Sequence, residues 1–242
     1  MGAHVILGCR SQERSVAAAT DICAAVGRED VTVLHVDLSS LASVRDCAAA
    51  FHDRFGTLDI LVNNAAVSLR TREVTADGFE RHPATNVLGP HLLTQLVLPA
   101  LEASGHGRVV NVSTLAAGGL HLSDTQYETR RYSGIGAYRA SKQAIRMLTW
   151  ALADRLVDRP VTANALNPGY VLTDLTNNVR GLLKLIVALT SFKAQTPLDG
   201  ADTAIWLAAS PEVEGMSGKF WNKRREVRCK FPDAAACKRH LG

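Results

Sequence analysis

Short apolar runs alternate with longer stretches of helical periodicity through most of this chain. Residues 4–9, 31–36, 58–62, 108–112 and 162–166 are short and rich in valine, leucine or isoleucine, which predicts strands buried on both faces. Between them, residues 13–26, 41–55, 88–103, 137–156 and 201–209 carry alanine, leucine and arginine with apolar positions at helical spacing. Such alternation is the pattern of an α/β fold, a doubly wound parallel sheet covered by helices on both faces. No repeat, low-complexity tract or linker marks a boundary, so residues 1–242 read as a single domain, long enough to bury a substantial core.

In an open parallel sheet, ligands bind beyond the carboxyl ends of the strands. The residues that follow the five runs are Arg10, Asp37, Asn63-Asn64-Ala65-Ala66, Ser113-Thr114 and Asn167-Pro168-Gly169, all polar or small at their key positions. A titratable pair opens a later helix: in Ala137-Tyr138-Arg139-Ala140-Ser141-Lys142, the tyrosine and lysine lie four residues apart and share a face. An ammonium near a phenol favours the phenolate, which predicts a Tyr138 pKa below the usual value of about 10 and a group able to give or take a proton. The same spacing also fits a solvated pair on any long helix, and its weight comes from its surroundings.

Composition narrows the function classes. Hydrophobic residues at 47% and charged residues at 21% describe an ordinary globular domain and exclude disorder or a fibrous fold. A net charge of +4 does not point to nucleic acid. Lys219, Lys223, Arg224, Arg225, Arg228 and Lys230 form a basic run, read as a solvated surface, with an anionic partner or membrane surface as the minority reading. The five cysteines, Cys9, Cys23, Cys47, Cys229 and Cys237, have no metal or redox spacing and suit a reducing cytoplasmic setting. The longest apolar candidate, 182–189, is interrupted by Lys184 and falls short of the roughly 20 residues of a spanning helix, so any membrane contact is expected to be peripheral.

With these pieces in order, the chain resembles the short-chain dehydrogenase/reductase family, in the branch around retinol dehydrogenases and WW-domain-containing oxidoreductases. The resemblance covers nearly the whole chain. It rests on Asp37, the Asn63-Asn64-Ala65-Ala66 run, Asn86 in Asn86-Val87-Leu88-Gly89, the Val-Asn-Val-Ser-Thr strand end, Tyr138 with Lys142, and Pro168-Gly169 followed by Thr173. It implies a Rossmann-type sheet and hydride transfer between a nicotinamide and a carbonyl or alcohol carbon. Tyr138 would be the general acid or base and Lys142 would lower its pKa and bind the nicotinamide ribose. Asn86 would hold a water that links the lysine to solvent. Tyr127 and Tyr132 compete for the acid role, but neither has a lysine four residues on.

The family places a serine where this chain has Thr114, which keeps the hydroxyl and adds a stiffening methyl. Strand alternation should point Ser113 to the other face, so Thr114 is favoured over Ser113 as the substrate-orienting hydroxyl. Arg10 stands where enzymes preferring NAD carry an acid and suits a 2′-phosphate, which favours NADP(H) over NAD(H). Arg14, one turn on, is divided evenly between assisting it and a surface role. Asp37 with Leu38 matches the region near the adenine, although Asp37 also reads as a helix cap, a role open to Ser39 or Ser40. Asn63, Ala65, Pro168, Gly169 and Thr173 match positions along the cofactor. The leucine-rich stretch at about 171–196 corresponds to a lid, implying a hydrophobic small-molecule substrate such as a retinoid, steroid or lipid aldehyde.

One family element has no counterpart. The first strand and its Thr-Gly-x-x-x-Gly-x-Gly turn, which present backbone N–H groups to the pyrophosphate, are not found. The strand would lie between those at 4–9 and 58–62, so unpaired edges and exposed apolar side chains are expected there. Met1 is expected to be an internal methionine of a longer parent, and the 242-residue chain to bind cofactor weakly. The rival class is a non-catalytic scaffold or binding protein, associating through the helices that flank the site in family homodimers.

Overall fold

Residues 2–169 and 197–228 of the 242-residue chain are described in a computed structural model. Serines set the helix starts. Ser11, Ser40 and Ser133 cap α1 (Gln12–Val26), α2 (Leu41–His52) and α5 (Gly134–Arg155), each accepting a bond from the backbone N–H three residues on. Such a cap is worth about 1 kcal/mol, and it starts α5 three residues earlier than the apolar periodicity from Ala137 suggested. α1 ends at Gly27, whose φ of 67° lets its N–H close back on the Cys23 carbonyl. Before α4 (Gly89–Ala103), the chain makes a helical turn, α3 (Arg81–Pro83), and a wider π-turn over Ala84–Leu88.

The strands are β1 (Val5–Cys9), β2 (Val31–His35), β3 (Ile60–Asn63), β4 (Gly107–Val112) and β5 (Val161–Asn167). After α6 (Pro197–Ala209) come β6 (Phe220–Asn222) and β7 (Arg225–Glu226), a hairpin that apolar patterning did not reveal because its strands are so short. β3, β4, β5 and β6 pair in parallel in that order, and β7 joins antiparallel. β1 pairs in parallel with β2 in a separate two-stranded piece. The sheet of this α/β domain is therefore interrupted between β1 and β3, where the family strand without a counterpart was expected. Val5 and Val62, on the strands bordering the break, are 38% and 43% exposed.

Among the described residues, one of two buried clusters spans the break. Leu34 of β2, Val44 and Phe51 of α2, Leu101 of α4 and Val109 of β4 belong to one buried cluster. Val110 points the other way and joins Leu166 of β5, Leu207 of α6 and Trp221 of β6. Adjacent valines feeding opposite cores are what a strand covered on both faces requires. The basic run lies on the β6–β7 hairpin as far as Arg228, with Lys219 paired to Glu226 at 2.8 Å and Arg224 to Asp202. Lys230 and the stretch at 171–196, expected to form a lid, fall outside the described residues.

Candidate active site

α5 brings Tyr138 and Lys142 to the carboxyl end of β4. Lys142 is buried, and its Nζ donates to the Val112 carbonyl at 2.8 Å. It stands 5.8 Å from the centroid of the Tyr138 ring. Burial disfavours the charged form of each group, pushing the ammonium of Lys142 down to about 8 and the phenol of Tyr138 up. The lowered tyrosine pKa expected from helical spacing is thus replaced by the opposite shift. The amine spends its bond on the last carbonyl of β4, and desolvation governs the phenol. Tyr138 is held protonated, the state of a proton donor.

Ser113 and Thr114 follow β4 and take different partners. The Ser113 hydroxyl is buried and donates to the Lys142 carbonyl at 2.7 Å, tying the strand end to α5. The Thr114 hydroxyl is half-buried and accepts from the Ala116 N–H at 3.2 Å, which leaves its own proton free to reach outward.

Asn86, in the π-turn, is buried and fully engaged. Its Oδ1 accepts from the Val67 N–H at 2.8 Å, and its Nδ2 donates to the Val67 carbonyl and to Ser141 Oγ, both at 3.0 Å. The Ser141 hydroxyl in turn donates to the Tyr138 carbonyl at 2.7 Å. Asn86 therefore clamps the loop after β3 onto α5. Asn63 turns inward, donating to Thr94 Oγ1 at 3.1 Å and Asn111 Oδ1 at 2.8 Å, while Ala65 is exposed. Asn111, which also donates to Thr149 at 2.9 Å, was overlooked in the sequence. Its signal was a lone amide inside the apolar run of β4.

Arg10 and Asp37 lie at the carboxyl ends of β1 and β2, on the smaller piece of the sheet. Burial would raise the Asp37 carboxyl, but bonds from the Ser39 N–H and hydroxyl, with the charges of Arg10 and Arg81, hold it below the ordinary range. Asp37 does not cap a helix, since Ser40 takes that role for α2. Leu38 sets the separation from α4: its carbonyl lies where a β-carbon on Gly89 would have to go.

Asn167 locks the end of β5, accepting from the Leu115 N–H at 3.1 Å and donating to Asn222 at 2.8 Å. Pro168 and Gly169, the latter at φ 83°, follow it and line a cavity of about 480 Å³ with Thr203 and Lys223. Thr173 lies outside the described residues. The competing tyrosines are otherwise committed. Tyr132 bonds to the buried Glu80, and burial with that carboxylate pushes its phenol up. Tyr127 is buried beneath the guanidinium of Arg130, 4.2 Å from its ring centre. Tyr138, Lys142, Ser113 and Asn86 thus form one bonded assembly at the end of β4, with Thr114 beside it and Arg10 and Asp37 across the break.

A family model described as short chain dehydrogenase matches residues 1–182. Retinol dehydrogenase 13 of Homo sapiens is 37% identical over 229 residues, an alignment covering 91% of this chain and 69% of that protein. Polyprenol dehydrogenase of Mus musculus is 36% identical over 237 residues, covering 94% of this chain and 70% of that one. Among solved structures, a gluconate 5-dehydrogenase from Burkholderia cenocepacia in complex with NADP and tartrate aligns at a TM-score of 0.70 and 26% identity, over 91% of this chain and 84% of that one. Among the described residues, no helix is long and apolar enough to cross a membrane.

Proposed function

Because the chain belongs to the short chain dehydrogenase family, a family of oxidoreductases, we propose that it interconverts a carbonyl and an alcohol on a hydrophobic small molecule with NADP(H) as cofactor. The observation that carries this reading is the pair on α5: a half-buried, protonated Tyr138 beside a buried Lys142 amine that desolvation has made easy to deprotonate. In the reducing direction, Tyr138 gives its proton to the carbonyl oxygen, and in the oxidising direction it takes one from the alcohol. Thr114 orients that oxygen with its outward hydroxyl. Asn86 keeps α5 and the loop after β3 in register, with Lys142 replenishing the proton.

The residues suit the cofactor at its two ends. The Lys142 Nζ has three donors and one described acceptor, which leaves N–H groups for a ribose hydroxyl. Arg10, with no acid in its place, supplies a cation for a 2′-phosphate, and Asp37, Asn63, Ala65, Pro168, Gly169 and Thr173 are the remaining contacts of this reading. NADP(H) supplies or accepts the hydride. Support for NADP(H) over NAD(H) comes from Arg10 and from the NADP bound to the gluconate 5-dehydrogenase. The names of the retinol and polyprenol dehydrogenases support a long apolar alcohol or aldehyde as substrate. A cytoplasmic, reducing location belongs to the same reading, consistent with free thiols at Cys9, Cys23 and Cys47.

Replacement of Tyr138 by phenylalanine tests the assignment. Reduction of retinaldehyde by NADPH should fall by at least about a hundredfold, the usual contribution of a general acid, with the fold intact by circular dichroism. Unchanged turnover would remove Tyr138 from the mechanism.

A further inference from the structure

Glu80 and His82 lie outside the residues assigned above, yet both side chains are 0% exposed. Burying a carboxyl group and an imidazole is costly unless their donors and acceptors are matched. Here the matching partners belong to the two loops that frame the start of α5. The His82 Nε2 accepts from the Leu69 N–H at 3.0 Å, which puts the ring proton on Nδ1, and Nδ1 donates to Glu80 Oε1 at 3.0 Å. The same carboxyl oxygen accepts from the Tyr132 hydroxyl at 3.2 Å, and Oε2 accepts from the His82 N–H at 3.1 Å. The Glu80 N–H donates to the Gln126 side chain at 2.7 Å, tying the pair to the chain that leads into α5.

Both loops transmit this restraint to the helix. Tyr132 immediately precedes Ser133, the cap of α5. The Leu69 carbonyl is seated so closely on Gly134, the first residue of α5, that a β-carbon there would collide with it. Tyr138 follows Gly134 by one helical turn. Asn86 holds Val67 two residues before Leu69, so the loop is pinned at two points.

We infer that Glu80 and His82 are positioning residues for the reaction, fixing through Leu69 and Tyr132 where α5 begins and hence where the Tyr138 phenol stands. The inference rests on the proposed role of Tyr138. Displacement of a reacting group by about 1 Å can cost about a hundredfold in rate, so a restraint one turn away bears directly on turnover.

The test compares His82→Phe, which fills the space and removes both nitrogens, with His82→Gln, which keeps one acceptor and one donor. Two readouts are taken on the full chain: kcat and KM for reduction of retinaldehyde by NADPH, and backbone hydrogen exchange by mass spectrometry. H82F should lower kcat by about tenfold or more at an unchanged KM for NADPH. It should speed exchange in residues 66–72 and 133–140 while β4 and β5 stay protected, and H82Q should recover most of both effects. Exchange that rises throughout the chain, or kcat that holds while residues 133–140 loosen, overturns the inference. A wild type that reduces no carbonyl overturns the functional reading instead. The exchange pattern, which needs no turnover, then still decides whether His82 holds the start of α5.

Discussion

Replacing Lys142 with methionine should stabilise the protein while disabling its proposed chemistry. Lys142 is 3% exposed, and burial takes its ammonium from an ordinary 10.5 down to about 8. At about 1.4 kcal/mol per pKa unit, keeping the charged amine in that site near pH 7 costs about 3 kcal/mol relative to the unfolded chain. Methionine fills a similar volume without the charge but forfeits the bond to the Val112 carbonyl, worth about 1 kcal/mol, so a net gain of about 2 kcal/mol is expected. For a chain of this size that is a rise in Tm of roughly 4–8 °C. The folded pKa lies below the unfolded one, so between about 8 and 10.5 the unfolded chain binds more protons and wild-type stability rises with pH. By about pH 9.5 some 2 kcal/mol of the cost is relieved, and the advantage of the variant should have vanished. Urea unfolding of both proteins at these two pH values, followed by circular dichroism at matched m-values, measures the difference. A variant less stable than wild type near pH 7, or one whose advantage is the same at both pH values, would refute the reasoning.

The two hydroxyls after β4 should separate by readout. Ser113→Ala removes the bond to the Lys142 carbonyl and is expected to cost about 1–2 kcal/mol of stability in urea unfolding, whereas Thr114→Ala should leave stability within about 0.5 kcal/mol and lower kcat about tenfold or more. A Ser113 variant of full stability, or a Thr114 variant of full activity, would reverse these assignments. Arg10→Asp should shift the ratio of NADPH to NADH affinity toward NADH by about tenfold, one lost charge-assisted contact, in a paired fluorescence titration, and an unchanged ratio would take Arg10 out of cofactor selection.

The amino-acid sequence by itself determined the features that depend on local geometry. Short apolar runs placed five strands to within about two residues of their observed ends. Helical spacing put Tyr138 and Lys142 on one face. The break in the sheet was legible as well, because a doubly wound fold has a known strand order and one strand had no counterpart. Only the tertiary structure decided what each group meets. The Lys142 amine reaches a carbonyl 30 residues earlier, and desolvation reverses the shift expected for Tyr138. Glu80 meets Tyr132 across 52 residues, and Asn86 meets Ser141 across 55. Backbone periodicity is written in neighbouring residues. Desolvation and hydrogen-bond partnership come from segments far apart in the chain, and only packing brings them together.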